Sequence, residues 1–111
     1  MKPKFRTLRR RYHELVNSQT VSLDGIRVDA RADVVGHDVR REIIRGTYEF
    51  AERKLLAQVL RSSDRVVEMG AGIGAIGLLA SRLIGAENVT SFEANPALEA
   101  VIRSNYGNPS F

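Results

Sequence analysis

Two short runs of β-branched residues, on either side of a glycine-rich loop and a helix, constrain the fold more than any other feature. Residues 65–69 are predicted to form a strand, residues 70–74 a loop, Ala75–Ile84 a helix and Val89–Phe92 a second strand. A strand, a helix and a strand joined by short connections pair in parallel, so this segment predicts a β-α-β unit in an α/β protein. The helix residues expected to face the sheet are Ile76, Leu79, Leu83 and Ile84.

Four further elements are predicted before this unit. Apolar residues recur at helical spacing over positions 4–17, which indicates an amphipathic helix. Alternating runs on both sides of Asp24-Gly25 predict a β-hairpin, because this dipeptide suits a type I′ turn. Asp38 is expected to cap a short helix that stops at Gly46, and a longer helix is expected over residues 49–60. The predicted apolar stripe of the longer helix consists of Phe50, Leu55, Leu56, Val59 and Leu60.

The positive charge of the chain is concentrated at its beginning. Six basic residues and no acid lie within residues 1–11, and the rest of the 111-residue chain has 11 basic and 13 acidic residues. Three interpretations of the basic segment stay open. It is a solvated helix face, a contact to nucleic acid, anionic lipid or an acidic substrate, or an Arg-rich targeting peptide.

Composition excludes several classes of site. The chain has no cysteine, so it offers neither a disulfide framework nor a cysteine nucleophile or zinc ligand. His13 and His37 are single histidines without paired acids at ligand spacing, and no metal site is predicted. The longest nearly apolar stretch, residues 71–80, contains three glycines and is shorter than the ~20 residues of a membrane span. A cytoplasmic protein is therefore expected.

The glycine loop is the candidate functional site. A tight turn after a strand places the N-terminus of the next helix at the carboxyl edge of the sheet, where we expect unpaired N–H groups to point outward. Glycines at 70, 72 and 74 let a ligand approach the backbone closely. Glu93 follows Gly72 by 21 residues and ends the second strand, where an acid can accept both hydrogen bonds of a ribose diol.

Two cofactor classes fit this loop. The pattern Gly72-x-Gly74-x-x-Gly77 matches a dinucleotide fingerprint, but Gly77 would then lie inside the helix. The frame that starts at Gly70 places the turn better and remains a fair dinucleotide match. Glu68, two residues before Gly70, discriminates between the classes because its carboxylate would repel a pyrophosphate and favour an ammonium or sulfonium group.

The run VVEMGAGIGAIGLLA, followed by TSFEANPAL, resembles class I S-adenosylmethionine-dependent methyltransferases. These enzymes have acid-x-Gly-x-Gly-x-Gly after the first strand and an acid after the second. Phe92-Glu93-Ala94-Asn95-Pro96 is similar to the FkbM-type branch, and so are Gly46-Thr47-Tyr48-Glu49 and a helix end that contains Asn105. The resemblance covers about residues 42–108.

The resemblance implies roles for particular residues. The loop glycines would approach the methionyl and ribose parts of the cofactor, Glu68 would fix the loop and the amino group, and Glu93 would hold the ribose hydroxyls. Glu49 would close the site from the N-terminal side. Tyr48 and Tyr106 are expected to be packing residues. The predicted cofactor-binding residues are Glu68, Gly70, Ala71, Gly72, Gly74, Glu93 and Asn95.

The resemblance also implies a fold and a function. The fold would be a Rossmann-like methyltransferase fold that stops after its opening βαβα half, preceded by an N-terminal helix and a β-hairpin. Residues 1–45 would hold the preceding elements, and residues 46–111 would begin the S-adenosylmethionine-binding domain. The function would be methyl transfer, to oxygen of a small molecule or sugar, with catalytic residues unidentified. Because a shortened parallel sheet has open edges, we expect copies of the chain to self-associate.

Two alternatives remain. The first is a fragment of an NAD(P)-binding oxidoreductase, which predicts NAD binding that does not depend on Glu68. The second is a non-catalytic module whose basic N-terminal helix binds a nucleic acid or another partner, which predicts steep salt dependence. The preferred interpretation assigns the protein neither a membrane nor a nucleic-acid partner.

Overall fold

The protein is described from a computed structural model that covers residues 7–8, 11–12 and 19–107. Residues 7–8 and 11–12 are helical, in agreement with the predicted N-terminal helix. The other residues of that predicted helix and most of the basic segment lie outside the described residues.

The described elements form a mixed α/β structure with two two-stranded sheets. The first sheet is an antiparallel hairpin and the second is a parallel pair. In chain order the elements are β1 (Thr20–Leu23), β2 (Ile26–Asp29), α1 (Ala32–Val35), α2 (His37–Arg45), α3 (Phe50–Val59), β3 (Val66–Met69), α4 (Ala75–Ile84), a 3₁₀ turn (Ala86–Asn88), β4 (Val89–Phe92), a second 3₁₀ turn (Pro96–Leu98) and α5 (Glu99–Tyr106).

The predicted hairpin is confirmed. Asp24 and Gly25 have φ of 49° and 86°, as a type I′ turn requires, and the register pairs Leu23 with Ile26 and Val21 with Val28. All four of these apolar side chains are buried on one face of the hairpin. Because successive side chains of a strand alternate, the intervening residues face solvent.

The helices after the hairpin depart from the predictions in two ways. The short helix α2 begins at His37 with Gly36 as its N-cap, so the prediction that Asp38 caps it is wrong; Asp38 lies in the first turn and pairs with Arg41. The four-residue helix α1 was not predicted, because its sequence is too short to show a helical period.

Helix α3 has the predicted bounds to within a residue, but it buries a charged residue and exposes most of its apolar ones. Arg53 is 2% exposed, whereas Phe50, Leu55 and Val59 are each more than half exposed. Of the predicted apolar stripe, Leu56 packs against the core. The predicted face of α3 is therefore wrong, because the guanidinium of Arg53 finds hydrogen-bond acceptors inside the protein.

The predicted β-α-β unit is confirmed as a parallel pair. Strand β3 pairs with β4 from Val66 opposite Val89 to Met69 opposite Phe92, and α4 connects them. In α4, Leu79 and Ile84 are buried as predicted, but Leu83 is 44% exposed. The other face of the pair, away from Glu68 and its partners, exposes the side chains of Val67, Met69, Thr90 and Phe92.

The hydrophobic core contains residues from both of the predicted segments, 1–45 and 46–111. Side chains of the hairpin, of α2, of the glycine loop, of α4 and of α5 form one cluster. Among the described residues, neither strand of the parallel pair has a further neighbour in its sheet. Self-association through these edges stays a prediction. The buried members of the cluster are Val21, Leu23, Ile26, Val28, Ala30, Val35, Ile43, Ile44, Ile73, Ala75, Leu78, Leu79 and Val101.

The helices of the described part of the chain are short. They contain at most ten residues, and a search of the described residues finds none with the length and apolar character needed to cross a bilayer.

Candidate functional site

The glycine loop adopts a backbone that favours glycine. Gly70, Gly72 and Gly74 have φ of 86°, 59° and 90°, a region that residues with a Cβ seldom occupy. Open space surrounds the position of an added Cβ at Gly70, whereas a Cβ at Gly72 would lie 3.1 Å from the Tyr48 hydroxyl. Gly70 is therefore required by its backbone conformation. Gly72 is required both by its backbone conformation and by the close approach of the Tyr48 hydroxyl.

Four N–H groups of the loop, those of Gly70, Ala71, Gly72 and Gly74, have acceptors within the protein, so the expectation of unpaired, outward-pointing N–H groups is wrong for these four. The Gly70 and Ala71 N–H groups both donate to the Phe92 carbonyl, at 2.8 and 2.9 Å. The Gly74 N–H donates to the Ala71 carbonyl at 2.8 Å. The strand ends lie side by side in the parallel pair, so the carbonyl of the second strand reaches the loop that follows the first.

Glu93 links the loop to the end of β4. Its Oε2 accepts from the Gly72 N–H and its Oε1 accepts from the Asn95 N–H, both at 2.8 Å. The Asn95 and Gly72 N–H groups lower the pKa of Glu93, because both donate to its ionised form. The predicted residues Gly72, Glu93 and Asn95 are thus in direct contact, and Glu93 holds the loop that also contains Gly70, Ala71 and Gly74.

Asn95 has a local role. Its Oδ1 accepts from the Ala97 N–H at 3.0 Å and caps the 3₁₀ turn that leads into α5. Pro96 occupies the first position of that turn, where its fixed φ suits a helical start.

Glu68 lies on the inner face of β3, opposite Ser91 in the strand register. Ser91 donates to Glu68 Oε2 at 2.7 Å, and the Tyr106 hydroxyl donates to Ser91 Oγ at 2.8 Å. Burial raises the pKa of Glu68, and hydrogen bonds from Ser91 and from the Gly77 backbone only partly oppose this effect. Glu68 is therefore linked to α4 and, through Ser91, to Tyr106 on α5, and its predicted role in fixing the loop and the amino group of the cofactor stays a prediction.

The small residue at position 77 makes room for this polar cluster. A Cβ at Gly77 would overlap the Tyr106 hydroxyl and would lie 2.6 Å from Ser91 Oγ and 2.7 Å from Glu68 Oε2. Gly77 thus matters for close packing of α4 on the cluster.

Tyr48 covers the loop from the N-terminal side. Its hydroxyl lies near Gly72, and burial, followed by the negative charge of Glu49, raises the pKa of Tyr48 to about 12. The charges of Glu68 and Glu93 act on Tyr48 in the same direction. The phenol therefore stays neutral and lies among three carboxyl groups.

Glu49 carries a buried side-chain oxygen that has no hydrogen-bond partner among the described residues. Its Oε2 is fully buried and has no hydrogen-bond partner there, although the residue as a whole is partly exposed. Burial, and then the charge of Glu68, raises the pKa of Glu49 to about 7. Glu49 also has φ of 46°, which is uncommon for a residue other than glycine.

Arg53 fixes the segment that carries Tyr48 and Glu49. Its guanidinium donates to the Tyr48 carbonyl and the Gly46 carbonyl, each at 2.9 Å, and pairs with Asp24 in the hairpin turn. These acceptors come from two separate segments, so Arg53 connects the hairpin turn to the segment that carries Tyr48 and Glu49.

Asn105 performs a similar connection from α5. It is 1% exposed; its Oδ1 accepts from the Asp29 N–H at 2.8 Å and its Nδ2 donates to the Ile73 carbonyl at 2.7 Å. The end of the hairpin and the glycine loop are thus held by one side chain. The resemblance had pointed to Asn105 as part of a helix end, without this role.

An open cavity of about 440 Å³ lies between the end of β4 and α5. Glu93, Asn95, Tyr106 and Arg103 are among its lining residues, and a second cavity of about 340 Å³ shares Ser91 and Tyr106 with it. Volumes of this size lie in the range of small-molecule sites. Glu93 therefore borders an open depression beside α5, and residues 70–74 are not among the residues that line it.

Ser91 and Tyr106 are members of the site that the sequence analysis did not identify. The signal for Ser91 was present, since aligning the two predicted strands at Glu68 and Ser91 places these side chains on one face of a parallel pair. Tyr106 gave no such signal, because its position depends on how α5 packs.

The comparisons with known proteins provide no relative. No family model matches the chain, and neither a curated protein nor a solved structure is significantly similar to it. Among the described residues, no group of three His, Cys, Asp or Glu residues has a geometry suited to a metal ion.

Proposed function

We propose that the chain binds S-adenosylmethionine at the glycine loop, as the cofactor-binding part of a methyltransferase with a Rossmann-like fold of the FkbM type. The observation that carries the proposal is the combination of a loop whose N–H groups already have protein acceptors with carboxyl groups on both sides of it. A cationic cofactor benefits from those carboxyl groups, and it does not require the N–H groups that a pyrophosphate needs.

The same observation weighs against the dinucleotide alternative. In a pyrophosphate-binding loop, the N–H groups after the strand are directed at the ligand. Here the N–H groups of Gly70, Ala71 and Gly72 donate to Phe92 and Glu93. An NAD phosphate at this position would have to displace these bonds and approach the carboxylate of Glu93.

The residues of this chain would bind and orient the cofactor. Glu93 retains acceptor capacity on both oxygens, so it can accept from ribose hydroxyls while it holds the Gly72 N–H. Glu68 and Glu49 would create a negative potential around the amino-acid part. S-adenosylmethionine supplies the methyl group, and the acceptor, which we propose to be a hydroxyl of a small molecule or sugar, would be aligned behind it.

Calorimetric titration tests the proposal. We expect the chain to bind S-adenosylmethionine and S-adenosylhomocysteine, and Glu93→Ala to lose at least about tenfold in affinity, since it removes a carboxylate that would accept ligand hydrogen bonds. Asp38→Ala, which removes an exposed acid on α2 that pairs with Arg41, is the matched control and should bind as the parent does. Binding of NAD alone, or of none of the three ligands, would contradict the proposal.

A further inference from the structure

The basic N-terminal segment has no part in the proposed function, yet its charged and apolar residues follow one helical pattern. Residues 7–8 and 11–12 are helical, and the side chains of Leu8 and Tyr12 belong to residues that are 66% and 60% exposed. These two residues are four positions apart, so they lie on the same side of a helix. This side of the helix thus presents apolar surface to solvent.

The predicted N-terminal helix has basic residues on both sides of its apolar face. At about 100° per residue, its five apolar residues fall within a sector about 100° wide. Lys4 and Arg11 border one side of this sector, and Arg9 borders the other. Glu14, the only acid of the predicted helix, falls on the opposite face together with Arg10. The five apolar residues are Phe5, Leu8, Tyr12, Leu15 and Val16.

This arrangement fits the surface of an anionic membrane better than a nucleic acid. A helix that lies in the membrane interface buries its apolar face at the boundary of the acyl chains, and basic residues at the edges of that face reach the lipid phosphates. Anionic lipid attracts such basic residues over a distance of about one Debye length. A nucleic acid also offers phosphates, but its backbone gives the apolar face nothing to pack against. The apolar face therefore favours the membrane.

We propose that the N-terminal helix binds the surface of an anionic lipid membrane, with Leu8 at the acyl boundary and Arg9 and Arg11 at the lipid phosphates. The charge of the chain is complementary to this placement, since residues 1–11 carry six basic residues and the rest carries 11 basic and 13 acidic ones. The membrane would attract the N-terminal helix and not the remainder. A lipid partner is among the interpretations left open for the basic segment, although the preferred interpretation assigned none.

Sedimentation of the full chain with lipid vesicles tests the proposal. We expect the chain to bind phosphatidylcholine vesicles that contain about 30% phosphatidylserine at least about tenfold more tightly than pure phosphatidylcholine vesicles. Leu8→Ser should weaken binding to the anionic vesicles by about fivefold or more, because it removes apolar surface from the interface. Leu8 is exposed and is not a member of the buried core, so this change should leave the fold intact.

Two neighbouring arginines provide a matched comparison. Arg9→Gln and Arg10→Gln each remove one positive charge, but only Arg9 borders the apolar face of the predicted helix. A helix is about 10 Å across, comparable to the Debye length, so the charge of Arg10 on the far face should be largely screened from the lipid. We expect Arg9→Gln to weaken binding to anionic vesicles by about fivefold, and Arg10→Gln by no more than about twofold.

The outcomes distinguish a membrane from the other partners. Equal weakening by Arg9→Gln and Arg10→Gln, with no effect of Leu8→Ser, would overturn the proposal, because a partner that reads only charge treats the two arginines alike. Equal binding to neutral and anionic vesicles, or binding to neither, would overturn it as well. The cofactor titrations use a different segment of the chain, so the proposed function stands or fails independently of these results.

Discussion

The two sheets of the molecule bury their residues in opposite ways. The antiparallel pair β1–β2 places Val21, Leu23, Ile26 and Val28 in the core, each at most 5% exposed. The parallel pair β3–β4 has no fully buried residue, and Met69 on its outer face is 77% exposed. The hairpin thus supplies apolar stability, whereas the parallel pair arranges polar groups. The strands on both sides of the glycine loop thus contribute little buried apolar surface, although α4 between them packs in the core.

The largest expected effect contrasts one residue from each sheet. Leu23→Ala should lower the free energy of unfolding by about 2–5 kcal/mol, because it leaves a cavity in the core. Met69→Ala should change it by no more than about 0.5 kcal/mol. Urea unfolding followed by circular dichroism measures both. A cost above about 1 kcal/mol for Met69→Ala would contradict the contrast and would show that the outer face is covered in solution.

The next effect concerns the connection between the two regions. Asn105→Ala leaves the Asp29 N–H and the Ile73 carbonyl without their partner, and should cost about 2–3 kcal/mol in the free energy of unfolding. Asn95→Ala removes one exposed cap and should cost about 0.5–1 kcal/mol. The same urea titrations compare the two variants. Equal costs would show that the hairpin and the glycine loop are not coupled through Asn105.

The smallest expected effect is a difference in pH dependence. The raised pKa of Glu49, about 7 against an ordinary 4.5, means that the folded state binds this proton more tightly than the unfolded state. The stability that Glu49 contributes to the folded state is fully present below about pH 4.5 and is lost as the pH rises through 7. Because part of the side chain reaches solvent, we expect about 1–2 kcal/mol over this range.

Glu49→Gln should flatten that pH profile of the unfolding free energy, while the exposed Glu99→Gln should leave it unchanged.

In the hairpin, Asp29 gives the unfolding free energy a pH dependence of the opposite sign. Burial raises the pKa of Asp29, but its hydrogen bonds and ion pair with Arg31 outweigh burial and lower it overall. The stability from Asp29 is therefore present above its ordinary pKa and is lost in acid. For Glu49, an unfolding free energy whose pH dependence between pH 4.5 and 7 is the same in Glu49→Gln as in the parent would refute the raised pKa.

Local patterns predicted the parts of the fold that depend on neighbouring residues. The hairpin followed from Asp24-Gly25, and the β-α-β unit followed from the alternation of strand, glycine loop and helix. The face of α3 did not follow, because the burial of Arg53 depends on carbonyls that tertiary packing brings to it. Periodicity treats a buried arginine as a polar residue and assigns it to the wrong side.

The residues of the candidate site could be predicted from the sequence better than the contacts between them. The glycines and Glu93 could be read from spacing, and the structure brings Gly72 and Glu93 into contact at one edge of the sheet, whereas Glu68 contacts Ser91 on its inner face. The acceptors of the Gly70 and Ala71 N–H groups could not be read from the sequence, since the Phe92 carbonyl reaches them only when the two strands pair. Their roles toward a ligand remain predictions.

The buried guanidinium of Arg53 has a consequence for the order of folding. Its acceptors belong to the hairpin turn and to residues 46 and 48, so a partly assembled chain would bury a cation without partners. Such an intermediate is unfavourable, which couples the docking of α3 to a completed hairpin. Helix α3 should therefore dock on the core only once the hairpin turn that carries Asp24 has formed.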